Sequence, residues 1–160
     1  MFDAIRRFLS GDERQAVAFV ESDVLGRLSF NDDVEAWESV AKIGGEDVEF
    51  HIAGDWSRGQ VVIGPSRRLI GEAERLATHF EEFSGAVKAF IEAQIDQNPA
   101  LNEWRDELGR LKIAQICFFW AERPSDGEIV FSSDTGGDAG RIWACAIKNG
   151  KPAPTLSFSS

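Results

Sequence analysis

Gly44-Gly45-Glu46-Asp47-Val48-Glu49-Phe50-His51-Ile52-Ala53 is the stretch that decides the fold. Val48, Phe50 and Ile52 alternate with Asp47, Glu49 and His51, and a period of two separates an apolar face from a polar one in an extended strand. Such alternation belongs to an antiparallel sheet with one face packed and the other in water. The Gly44-Gly45 pair suits a two-residue hairpin turn, whose central residues need positive φ. Upstream, residues 35–43 read as the partner strand and Asn31-Asp32-Asp33 as a turn. Leu28 and Phe30 alternate with Arg27 and Ser29 and read as a third strand, so the three form a meander. The run 14–21 fits a helix or a strand equally.

Downstream, residues 54–64 read as a loop carrying Trp56, and Pro65 suits the first turn of a helix. Leu69, Leu76, Phe83 and Phe90 then recur every seven residues beside Ala73, Phe80 and Val87, with Ile70, Ile91 and Ile95 widening the stripe. A helix of that length would span about 45 Å, more than a sheet of ordinary strands covers. A break is therefore expected at Ser84-Gly85, because glycine weakens a helix and Ser-Gly pairs kink it. The heptad pattern is too short for a coiled coil, so the stripe is expected to lie on the sheet. Asn98-Pro99 reads as an N-cap and first helical residue, opening a short helix over 100–108 that Gly109 ends. Residues 112–122, 128–132, 141–148 and 153–158 read as strands, the last two joined at Asn149-Gly150. The expectation is a single α+β domain over 1–160. Its largely antiparallel sheet has about seven strands, a three-strand meander and a four-strand meander separated by helices that pack on one face.

The chain has 160 residues with 17 Lys plus Arg against 27 Asp plus Glu, a net charge of −10. The excess is uneven: residues 1–60 carry 6 basic and 13 acidic side chains, whereas residues 111–160 carry 5 of each. Such a chain repels phosphate backbones and lacks a basic cluster for anionic membranes, which argues against nucleic-acid and membrane partners. Phe2, Ile5, Phe8 and Leu9 have helical spacing ending at Ser10-Gly11, without the unbroken apolar core of a signal peptide. The longest uncharged apolar stretch, 113–121, is far short of the roughly 18 apolar residues of a membrane span. Cys117 and Cys145 lie inside apolar runs, the usage of a reduced compartment, and no Cys/His pattern suggests a metal ligand set. The expected compartment is the cytoplasm, with no cofactor.

Two histidines limit the catalytic options. His51 follows Glu49 on a polar strand face, and His79 precedes Glu82 on a helix. Either could serve a hydrolase as general base, yet neither stands in a GxSxG or HExxH motif. The glycine-rich loop 134–140 offers two carboxylates to a hard cation but lacks the EF-hand and P-loop patterns. Trp56 beside Asp55 is either a protein-contact anchor or a cover over a core edge. With Asp47, Glu49, Glu35 and Glu38, those two residues form the expected partner-binding set.

Arg141-Ile142-Trp143-Ala144-Cys145, Asn149-Gly150-Lys151-Pro152 and Leu156-Ser157-Phe158-Ser159, with Leu25-Gly26-Arg27-Leu28 leading to Trp37, carry a resemblance. They resemble small uncharacterised bacterial domains, some of which occur beside polymorphic toxins as immunity proteins. The resemblance implies a non-enzymatic binding role and transfers no functional residue. The expected function is an immunity-like cytoplasmic binding protein that presents an acidic surface to a basic protein partner. A small hydrolase using His51 or His79 and a structural homodimer are the alternatives.

Overall fold

A computed structural model describes residues 19–56, 62–133 and 142–159. Four strands come first: β1 (Phe19–Ser22), β2 (Gly26–Asn31), β3 (Ala36–Ile43) and β4 (Glu46–Ile52). A short pair, β5 (Gly54–Trp56) and β6 (Val62–Pro65), leads to α1 (Arg67–Thr78) and α2 (Phe80–Gln97). A 3-10 helix (Pro99–Trp104) and one α-helical turn, α3 (Arg105–Leu108), precede β7 (Leu111–Phe118), β8 (Gly127–Ser133), β9 (Ile142–Lys148) and β10 (Lys151–Ser159). Eight strands make one sheet in the order β1-β2-β3-β4-β7-β8-β9-β10. All its neighbours are antiparallel except β4 and β7. That parallel contact needs a crossover, which the helical region supplies. The fold is α+β with a mostly antiparallel sheet.

Two hairpins set the registers. Gly44 and Gly45 have φ of 61° and 85°, and Asn149 and Gly150 have 51° and 75°. Positive φ at both central residues matches the right-handed twist of the flanking strands. Ile43 accordingly faces Glu46, and Lys148 faces Lys151. Leu28, Trp37, Phe50, Ile116, Ile129 and Trp143 from the sheet meet Leu69, Leu76, Phe83, Val87 and Ile91 from the helices in one buried cluster. The helical stripe packs on the sheet as its spacing requires.

The structure departs from the sequence reading in several places. Pro65, expected in the first turn of a helix, ends β6, and most of the short helix expected over 100–108 is 3-10 rather than α. The main sheet has eight strands rather than seven, because residues 19–22 are a strand and pair with β2. Part of the stretch read as a loop over 54–64 forms the separate β5–β6 pair. The strand expected over 112–122 ends at Phe118, leaving Phe119 and Trp120 exposed beyond it. The helix breaks at His79, while α2 runs through Ser84 and Gly85. Thr78 Oγ1 donates to the Glu74 carbonyl at 2.7 Å, and His79 Nδ1 lies 2.9 Å from the Arg75 carbonyl. The His79 amide still bonds the Arg75 carbonyl, and it is the His79 backbone, with φ of −107° and ψ of 31°, that leaves the helical region and ends α1. The expected helical segment over 2–9 and the 134–140 loop lie outside the described residues. Among the described residues, no helix is long and apolar enough to cross a membrane.

Candidate functional site

The helices and the buried cluster lie on one face of the sheet, and no described helix contributes to a core on the other. Strand alternation sends Glu38 of β3, Glu49 and His51 of β4, Gln115 and Cys117 of β7, and Glu128 of β8 to that second face. Register aligns them in two rows. Glu38 faces His51, His51 faces Cys117, and Cys117 faces Glu128. One step along, Val40 faces Glu49, Glu49 faces Gln115, and Gln115 faces Val130.

At the junction of these rows the side chains converge. His51 Nε2 lies 2.8 Å from Glu49 Oε1 and 3.2 Å from Glu38 Oε1. Its Nδ1 is 2.7 Å from Gln115 Nε2. With that amide donating, the ring proton sits on Nε2 and is shared between the two carboxylates. Asn31 Nδ2 donates to the other Glu38 oxygen, Oε2, at 3.0 Å. The His51 side chain is 12% exposed, Glu38 24% and Glu49 43%, so the ring is held inside while Glu49 reaches solvent. Among the described residues, no Lys or Arg lies within ion-pair distance of either carboxylate.

Cys117, one strand over, is 4% exposed. Burial, reinforced by Glu128 and Glu49, pushes its thiol up to about 12. The neutral thiol is a poor nucleophile. Cys145 sits on the core face and is pushed up to about 12 by burial and by Glu128. The strand β8 separates the two cysteines, and two inter-strand spacings, about 10 Å, exceed the Cα reach of a disulfide.

The expected partner-binding residues divide. Glu38 and Glu49 come together with His51. Asp47 is on the same strand but faces Lys42. Glu46 pairs with Lys112 Nζ at 3.2 Å. Glu35 stands in the turn before β3 with a φ of 53°. Asp55 and Trp56 lie on β5, where their backbones pair with Gly64 and Val62; their side chains lie outside the described structure. His79 is at the helix junction, and among the described residues it joins no cluster of three potential ligands. Asn31 and Gln115 are new members of the site, as is the partnership between Glu38 and His51.

Two further surface features lie apart from this cluster. Exposed Trp120 carries Phe119 edge-on at 5.7 Å and the Arg123 guanidinium 4.9 Å from its ring centre. A groove of about 1090 Å³ runs between α2 and the sheet end, lined by Phe80, Val87, Ile91, Leu111 and Phe131 among others. It contains neither histidine. Comparison with protein-family models, with curated proteins and with solved structures found nothing that matches this chain.

Proposed function

We propose that this chain is a non-enzymatic binding protein, immunity-like and cytoplasmic, that presents the sheet face opposite the described helices to a basic protein partner. The observation that carries this reading is the juxtaposition of Glu38 and Glu49 across one imidazole, without a Lys or Arg partner among the described residues. Two other carboxylates of the sheet do have cationic partners: Glu21 pairs with Arg27 at 2.7 Å and Glu46 with Lys112 at 3.2 Å. Uncompensated carboxylates on a rigid sheet attract cations over long range and speed encounter. Val40, 65% exposed opposite Glu49, offers an apolar contact beside them. Two free, buried cysteines suit a reducing compartment.

A hydrolase reading would need a histidine in a cavity with a nucleophile beside it. The His51 cluster and the groove are separate, and the neighbouring Cys117 thiol is held neutral.

The test is the association rate of a Lys/Arg-rich peptide at two salt concentrations. The wild-type rate is expected to fall with salt, and Glu38→Gln/Glu49→Gln to slow association about threefold or more at low salt. Melting should be unchanged or slightly higher, since adjacent like charges repel. Equal rates for the two proteins would contradict the reading.

A further inference from the structure

We propose that Glu38, Glu49 and His51 bind a first-row divalent transition-metal ion, of the Zn2+ or Mn2+ class. One ligand atom from each residue lies within 4.8 Å of the others. An ion with bonds of about 2.1 Å sets neighbouring ligand atoms about 3.0 Å apart at right angles and about 3.4 Å apart in a tetrahedron. The His51 Nε2 gaps of 2.8 and 3.2 Å to the two carboxylates are close to these spans.

The surroundings orient the ligands as second partners do in metal sites. Gln115 fixes the imidazole through Nδ1, and Asn31 fixes the Glu38 carboxylate through Oε2. Both contacts leave the converging atoms free to face an ion. A half-turn of the Gln115 amide presents its oxygen to an Nδ1 proton, which leaves the Nε2 lone pair for the metal.

Charge and ligand type name the ion. A neutral imidazole and two carboxylates balance a divalent cation, and the two carboxylates have no other cationic partner among the described residues. The imidazole nitrogen suits Zn2+ and the two carboxylates also suit Mn2+, whereas Ca2+ and Mg2+ favour oxygen ligands throughout. Solvent reaches the site past Glu49, leaving room for water in the remaining positions. This inference goes beyond the acidic-face reading but uses the same two carboxylates, so a bound ion competes there with a basic partner.

The experiment is calorimetric titration of the full chain with ZnCl2 and with MnCl2, alongside CaCl2 and MgCl2. Saturable binding of one equivalent of Zn2+ or Mn2+ is expected, with little binding of Ca2+ or Mg2+. Glu49→Gln should weaken it at least about tenfold, His51→Ala should abolish it, and Gln115→Leu should weaken it about 10–100-fold. Cys117→Ser and His79→Ala should leave it intact. Because the Glu49 side chain is half in solvent, Glu49→Gln keeps the fold even if His51→Ala does not, and circular dichroism checks each variant. Absence of saturable binding to the wild type would overturn the proposal. So would Zn2+ affinity unmoved by Glu49→Gln and His51→Ala. The His51→Ala variant retains both carboxylates, so ion binding and association with the basic peptide fail separately.

Discussion

The carbonyl oxygen of Cys117 lies so close to Gly127 that a Cβ on that glycine would come to 2.3 Å from it. A backbone oxygen cannot swing aside as a side chain can. Gly127 begins β8, and the next residue, Glu128, pairs with Cys117, which in turn pairs with His51. Gly127→Ala must therefore push β8 off β7 in the row that holds the candidate site. The expected loss is about 1–3 kcal/mol, the range for overpacking a tight position. Thermal melting reads it, and an unchanged midpoint would contradict so close an approach.

The helix offers a graded series. Phe83 is buried, whereas Phe80 is half-buried and lines the groove. Phe83→Ala should cost about 3–5 kcal/mol, and Phe80→Ala clearly less. Gly85 stands inside α2 with open space where a Cβ would go. Gly85→Ala should stabilise the protein by about 0.5–1 kcal/mol by reducing backbone freedom in the unfolded chain. Urea unfolding ranks all three, and a loss at Gly85 would mean that the helix needs a glycine there.

Both thiols should resist labelling in the folded protein. Each is buried and pushed up to about 12, so little thiolate exists near neutral pH. Reagent should modify neither until denaturant is added, and then both. Fast modification of either in native buffer would contradict its placement.

Asp126 ties the β9–β10 hairpin to the turn before β8. Its Oδ1 accepts from the Asn149 amide at 3.0 Å, and its Oδ2 lies 3.2 Å from Lys148 Nζ. The Asn149 hydrogen bond, aided by Lys148 and Arg123, holds its carboxyl below the ordinary value. A carboxyl that titrates lower when folded stabilises above its unfolded value, about 3.9, and loses that contribution as pH falls through the folded value. Asp126→Asn should therefore melt below the wild type near neutral pH, with the gap narrowing in acid. A gap that widens in acid would reverse the assigned sign.

Much of this architecture was legible because it rests on local rules. The alternation in 47–53 separates the two faces, and Gly44-Gly45 and Asn149-Gly150 announce their turns. The Glu38–His51 contact was also within reach. Counting outward from a two-residue turn puts residue 43 opposite 46 and therefore 38 opposite 51. Gln115 was not, because the register of β7 on β4 is set across the whole helical crossover. The helix break was misplaced because Ser84-Gly85 carries the more obvious composition. The change of backbone direction at His79, φ −107° and ψ 31°, leaves no mark in the hydrophobic period.

The most direct test of the acidic-face account is NMR titration of the labelled protein with a Lys/Arg-rich peptide at low salt. The account predicts amide shifts centred on Glu38, Val40, Glu49 and His51, fading in Glu38→Gln/Glu49→Gln and with added salt. Shifts confined to α1, α2 or the groove beside Phe80, with the β3–β4 face silent, would contradict it.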